Sequence, residues 1–275
     1  MRALTQSSRE LDLSTALDRG LSILEHLAGQ PEGVPLTVLA DELDIPRSAC
    51  HRLLAELQQR GYVRQPRSQS DYMLTTKLVS LGLGYLSSAG IVDIAEPLLE
   101  RLAASSGELV RLSIVDDERL TWVAKAQGMR KGLRYDPDMG MDARLSCTAS
   151  GHAWLLTLSD ERAIELIMRQ GIGKPKDYGP KAPTTVKAVL GFLHAARARG
   201  FAMIDEVFAP GMAAMAAPVL RQGQAIGVIS IAGPRLRLTS TRMLALARPL
   251  LDAAAELGPI SRASSLFGRP PLGKA

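Results

Sequence analysis

The sequence predicts an α+β protein in two parts, a winged helix-turn-helix module and a larger α/β domain, joined by a helix. Three observations lead there. The first 75 residues carry three short amphipathic periods and then two strand-like pieces around a polar turn. From Ile91 onward, helical and strand-like segments alternate. The chain has 275 residues, and at about 150 residues per domain that is enough for about two.

Residues 14–29 read as an amphipathic helix, with Ser14 or Thr15 to cap it and Leu17, Leu21, Leu24 and Leu27 as its apolar stripe. A second, short helix is expected over 37–43, with Thr37 as cap and Leu39, Ala40 and Leu43 buried, before Asp44-Ile45-Pro46 breaks it. A third runs over 47–60 and buries Cys50, Leu53, Leu54 and Leu57 at i, i+3, i+4 and i+7. It ends before Gly61, a good residue just past a helix end. Tyr62-Val63-Arg64 and Tyr72-Met73-Leu74 then read as short strands around the polar turn 65–71. Over 10–74 this order is a winged helix-turn-helix, in which the second helix braces the third. The N-terminal end of the third can then enter a major groove about 12 Å wide.

Charge supports that reading locally and not globally. The net charge is +5, but residues 1–90 hold nine basic and ten acidic side chains. Between Ile45 and Gln69, however, five arginines (47, 52, 60, 64, 67) face one acid, Glu56. Such a patch is what phosphates select. Arg47, Ser48, His51 and Arg52 fall opposite the apolar stripe of the third helix and would face the groove, with Arg47 or Arg52 suited to guanine. Arg64, Arg67 and Tyr72 would reach the backbone or minor groove through the wing, and Thr37 would hold a phosphate. The implied partner is a double-stranded DNA operator.

Residues 75–90 predict one further helix with Leu78, Leu81, Tyr85 and Leu86 on one side. Following a wing, it has no small core to cover, so it is expected to pack on the same helix of a second chain. Residues 91–258 then predict an α/β domain, with helices near 91–105, 149–158, 160–170, 184–199 and 239–257. Leu244, Ala247, Leu250, Leu251 and Ala254 would form the apolar face of the last. Strands are expected near 109–115, 119–126, 201–205, 213–221 and 224–232. The tight turn Leu220-Arg221-Gln222-Gly223-Gln224 implies antiparallel pairing. Residues 259–275, with Pro259, Pro270 and Pro271, are expected to form a loose tail.

Several function classes are excluded. Cys50 and Cys147 lie too far apart for a disulfide framework or a common zinc spacing. Four scattered histidines make no metal pair, and no metal or cofactor is expected. Aromatic residues are only 4%, which argues against a stacking platform for single strands. No run approaches 18 apolar residues, so no membrane partner is expected. The start MRALTQSSRELDLS lacks an apolar signal region, so a cytoplasmic chain is expected, nucleoid-associated when DNA-bound. No G-x-S-x-G elbow, Walker loop or G-x-G-x-x-G occurs.

Taken together, several segments resemble IclR-type bacterial transcriptional regulators. They are Ala16-Leu17-Asp18-Arg19-Gly20-Leu21-Ser22-Ile23-Leu24, Ser48-Ala49-Cys50-His51-Arg52-Leu53-Leu54 and Gly61-Tyr62-Val63 in the first part. In the second part they are Leu145-Ser146-Cys147-Thr148-Ala149-Ser150-Gly151-His152-Ala153, Gly200-Phe201-Ala202 with Asp205 and Gly211, Ala216-Ala217-Pro218-Val219, and Ile229-Ser230-Ile231-Ala232-Gly233-Pro234. The resemblance covers about 14–257. It implies a GAF-like effector domain, a homodimer or dimer of dimers on a palindromic operator, and control by a small carboxylate effector.

Carried over by position, the resemblance puts the effector beside Cys147 and the backbone N–H groups of Ala149 and Ser150. Asp205 would be an acidic pocket residue and Ser230 a ligand-facing hydroxyl, with Met212, Ala214 and Ala232 in the walls. Ala214 and Ala232 replace residues that can be polar in members binding small oxoacids, and His152 replaces the usual lysine. A less polar pocket implies a larger or more apolar acid, including aromatic ones. Two rival readings stand beside this one. Cys147 could be a redox sensor in the same DNA-binding chain, or Cys147 and His152 a catalytic pair. At i+5 the second side chain is turned by about 140° around a helix, and no third group orients it.

Overall fold

The computed structural model describes residues 15–66, 71–88, 90–129 and 140–261. The chain divides between Tyr85 and Leu86 into two compact units.

The first unit holds α1 (Ala16–Ala28), α2 (Leu36–Glu42), α3 (Arg47–Gln59), β1 (Val63–Arg64) and β2 (Met73–Leu74), and it enters α4 (Lys77–Ser88). Thr15 caps α1 in a reciprocal box: its Oγ1 accepts from the Asp18 amide at 3.1 Å, and Asp18 Oδ2 accepts from the Thr15 amide at 2.9 Å. The core of this unit is built from Ile23, Leu27, Leu39, Cys50, Leu53 and Leu54, closed by Val34, Val63 and Tyr72. Two expectations need correction. Leu17 and Leu21 are 70% and 48% exposed: Leu27 is buried as expected, but α1 turns Ile23 inward beside it, with Leu24 partly buried. Thr37 is not a cap: α2 begins one residue earlier, and Pro35 holds the cap position. α4 buries no side chain at all, with Leu81 and Tyr85 about half exposed.

The second unit carries α5 (Ile91–Ser106), β3 (Leu109–Asp116), β4 (Arg119–Gln127), α6 (Ala149–Leu155), α7 (Asp160–Gln170), α8 (Val186–Arg199), β5 (Ala202–Asp205), β6 (Met212–Arg221), β7 (Gln224–Pro234), α9 (Ser240–Ala245) and α10 (Ala247–Ile260). The strands form one antiparallel sheet in the order β4-β3-β7-β6-β5. Each face of the sheet has its own core. Val110, Leu112, Met215 and Ile229 pack on one side against Leu98, Leu99 and Leu102 of α5 and Leu250, Ala254 and Leu257 of α10. Trp122, Ala216 and Val228 pack on the other, against Ala153 of α6, Leu166 of α7 and Leu193 of α8.

The single C-terminal helix that the sequence predicts is two. Pro249 has no N–H to donate to the carbonyl of Ala245, so the helix breaks at Leu246 and restarts. The break changes the phase: Leu244 is 57% exposed, while Met243 and Leu246 are buried. α10 also runs past Pro259 to Ile260, beyond the expected start of the tail. Residues 262–275 and 10–14 lie outside the described residues. No single helix among the described residues is long and apolar enough to cross a membrane.

Candidate functional site

Two regions collect the side chains that sequence reasoning singled out. The first is the outer face of α3. Pro46 starts the helix, and Asp44, at φ 51°, makes the sharp turn after α2. The Ile45 amide donates to the Ala40 carbonyl at 2.9 Å, which fixes that turn. Cys50, Leu53 and Leu54 point into the core, so Arg47, Ser48, His51 and Arg52 are all exposed on the opposite side. Arg47 reaches Asp41 at 3.5 Å, an exposed pair worth at most about 1 kcal/mol and easily exchanged for a phosphate. Thr37 is also exposed.

The wing is only partly as expected. β1 and β2 pair with Val63 opposite Leu74 and Arg64 opposite Met73, and Arg64 is exposed. Arg67 lies outside the described residues. Tyr72 is not a wing contact: it is 6% exposed, and its backbone N–H and C=O both pair with Val34 at 2.9 Å. That bridge draws the start of β2 onto the helical core and takes the ring with it. Lys77, which the sequence did not single out, donates from Nζ to the Arg60 carbonyl at the end of α3 and lies 4.5 Å above the Tyr62 ring.

The second region is a cavity between the sheet and the start of α6. It is narrow as it stands, with about 30 Å³ open to a water-sized sphere. The structure brings six of the expected pocket residues together there: Ala149, Ser150, Met212, Ala214, Ser230 and Ala232. Strand register explains the grouping, since Ala214 sits directly opposite Ala232. Gly151 lets α6 pack against the loop that leads into it, since a Cβ there would lie 2.6 Å from Leu145 Cα. Thr148 caps this helix, its Oγ1 accepting from the Gly151 amide at 2.9 Å and donating to the Arg144 carbonyl at 2.7 Å. Ile204 and Phe208 complete the apolar part of the wall.

The residue that sequence reasoning missed is Arg111. It lines the cavity, is 6% exposed, and its guanidinium carbon lies 3.9 Å above the Trp122 ring. It faces Ser230 directly across β3 and β7. The signal was present: an arginine in the middle of Leu109-Val110-Arg111-Leu112-Ser113-Ile114-Val115, a fully buried kind of strand, is rare without a reason.

Asp205 and Cys147 are not part of this cavity. Ala202 and Ile204 point toward the α6–α8 face, so Asp205 points the other way, paired with Ala213 rather than Ala214. Its carboxylate is held by Lys181 and by Arg235, whose Nε is 3.1 Å away. Cys147 is 1% exposed among Trp122, Leu145 and Trp154, and burial pushes its thiol up to about 11. A redox sensor needs the opposite, an exposed thiol of low pKa. His152 is core as well. Its Nε2–H donates to the Ser146 carbonyl at 2.8 Å and its ring stacks on Phe192 at 5.2 Å. Burial lowers its pKa to about 4, so it is neutral at pH 7. Among the described residues no group of three metal-ligating side chains is found.

Residues 16–67 match the family described as IclR helix-turn-helix domain, and residues 83–258 match the one described as bacterial transcriptional regulator IclR C-terminal. The chain is 29% identical over 245 residues to the transcriptional repressor IclR of Escherichia coli K12, which covers 88% of each. The crystal structure of an IclR transcriptional regulator from Alicyclobacillus acidocaldarius shares its fold with a TM-score of 0.76 at 21% identity, over 90% of this chain and 98% of that one. An IclR homolog from Microbacterium hydrocarbonoxydans, crystallised with 4-hydroxybenzoate, gives a TM-score of 0.74 at 18% identity, over 91% of this chain and 100% of that one.

Proposed function

As the chain belongs to the IclR family of bacterial transcriptional regulators, and is thus a ligand-responsive DNA-binding regulator, we propose that a small organic acid with an apolar or aromatic body controls it. The observation that carries this reading is the cavity: apolar walls from Ile204, Phe208, Met212 and Ala214 around one buried arginine and one buried serine. An apolar lining with a few placed polar groups is the usual character of a small-molecule site. The fold neighbour crystallised with 4-hydroxybenzoate supports the choice of an aromatic acid.

On the DNA side, Arg47, Ser48, His51 and Arg52 enter the major groove, and Arg64 contacts the backbone from the wing. Arg67 extends the same wing in sequence. The regulator works as a homodimer or a dimer of dimers on a palindromic operator. Support for self-association comes from α4, where Val79, Leu81, Leu83 and Tyr85 are all about half exposed or more. A second copy of the same helix would cover them. The acid acts only through its differential affinity for DNA-competent and incompetent arrangements, and α4 joins the two domains that must communicate.

Footprinting on DNA upstream of the gene tests this reading. It predicts two protected half-sites about 34–36 Å apart, centre to centre, or a multiple of that. A single asymmetric patch contradicts the dimer on a palindrome.

A further inference from the structure

We infer that Thr75 and Lys77 form the joint through which α4 sets the direction of α3, so that Lys77 is a positioning residue for DNA binding and not itself a DNA contact. This deepens the regulator reading and rests on it. α3 ends in a Schellman turn, with Gly61 at φ 75°. The Gly61 amide donates to the Gln58 carbonyl and the Tyr62 amide to the Leu57 carbonyl, both at 2.9 Å. That turn is enough to stop the helix. The next three carbonyls, of Arg60, Gly61 and Tyr62, are each taken by a residue at or just before the start of α4. Lys77 Nζ donates to the first, the Thr75 hydroxyl to the second, and the Thr75 amide to the third at 2.9 Å.

The amide bond continues the pairing of β1 with β2 by one step beyond Val63 and Leu74. The two side-chain bonds have no such origin. Thr75 Oγ1 also accepts from the Lys77 amide at 3.2 Å, so one hydroxyl spans the end of α3 and the first turn of α4. Lys77 puts its charge at the C-terminal end of α3, where the helix dipole is negative. The same ammonium lies 4.5 Å above the Tyr62 ring, within the range of a cation–π contact. It is thus committed to protein groups, although the residue is exposed. Arg47, Ser48, His51 and Arg52 all sit on α3, so turning α3 against α4 turns the four together. For two copies on two half-sites, that angle decides whether both helices meet their grooves at once.

The test is DNA binding by the full chain, read as anisotropy on upstream and scrambled duplexes across a salt series. In Lys77→Met and in Thr75→Val, affinity for the upstream duplex is expected to fall about three- to tenfold, the size of one lost hydrogen bond. Affinity for the scrambled duplex and the salt slope stay at wild-type values. Lys77→Arg and Thr75→Ser keep the donors and keep the preference. The double variant loses less than the two single losses combined, as coupled residues do. An equal loss on both duplexes with a salt slope lower by about 1 makes Lys77 a phosphate contact and overturns the inference. Unchanged preference and slope with a lower Tm makes the pair merely structural and overturns it too. A second measurement needs no DNA. Spin labels on Ala55→Cys and Ser80→Cys, in chains diluted with unlabelled protein, report the α3–α4 distance while Cys50 and Cys147 stay buried. Lys77→Met is expected to broaden that distance distribution, and an unchanged width overturns the joint. A wild-type chain without preference for the upstream duplex counts against the regulator reading, and the spin-label result then decides the joint by itself.

Discussion

Arg237 grips both carboxylate oxygens of Glu108, with Nε 2.7 Å from Oε1 and Nη2 2.8 Å from Oε2. Glu108 is buried, and the pair ties the segment after β7 to the start of β3, where Leu109 sits opposite Ala232 of the cavity wall. The backbone must pass very close to make room for it: a Cβ on Gly233 would lie 2.3 Å from Glu108 Oε2.

Changing Glu108 to Gln removes the buried charge and leaves Arg237, about a third exposed, to water. Glu108→Gln is expected to cost about 1 kcal/mol, read as a lower denaturant midpoint with unchanged slope. Gly233→Ala is expected to destabilise too, by pushing the carboxylate aside. Wild-type stability in both variants would show that the pair is merely superficial.

His152 gives the second domain an acid limit. Above pH 6.5 the ring is neutral in folded and unfolded chains alike, and it adds no pH dependence. Below that, the unfolded chain takes up a proton that the folded one, held at about 4, refuses. Stability then falls by about 1.4 kcal/mol per pH unit as pH drops from 6.5 toward 4. Melting curves across this window for wild type and His152→Gln are expected to converge toward low pH, the variant having the shallower slope. Parallel curves would remove His152 from the explanation.

Both cysteines are expected to be chemically silent in the folded protein. Cys50 and Cys147 are 0% and 1% exposed, and burial raises both thiols. A thiol-reactive disulfide reagent at pH 8 should label neither within minutes and both after denaturation. Rapid labelling of Cys147 in the native state would revive the redox reading.

Arg52 and Arg64 are expected to fail in different ways when changed to Ala. Loss of a base-reading Arg52 costs about 1–3 kcal/mol on the cognate site and relaxes preference at one base pair. Loss of Arg64 weakens all sequences alike and lowers the salt slope by about 1. Binding isotherms on a cognate and a substituted duplex at several salt concentrations separate the two. Identical profiles for the two variants would contradict the division between α3 and the wing.

Local chemistry made most of the architecture legible. The Thr15 cap, the stripe of α3, Gly61 after it and the turn at Gln222-Gly223 each act through neighbouring residues, so periodicity and turn residues disclose them. What depended on partners distant in sequence was read less well. Nothing local distinguishes Leu17 and Leu21 from Ile23 as the residues that α1 buries beside Leu27. Tyr72 is buried because Val34 pairs with it from 38 positions upstream. Strand parity separates Asp205 from Ala214, and parity is known only once β5 is paired with β6. Arg111 escaped notice for the reverse reason, since its strand is buried on both faces and shows no alternation to interrupt.

The central claim is that an acid in the second domain controls DNA binding by the first. Fluorescence anisotropy on labelled DNA from upstream of the gene, against a scrambled duplex, at two salt concentrations and with or without benzoate, tests it most directly. The account predicts preferential, salt-weakened binding to the upstream DNA and a change in its affinity with benzoate. Equal affinity for both duplexes, or an upstream affinity that benzoate leaves unchanged, would contradict it.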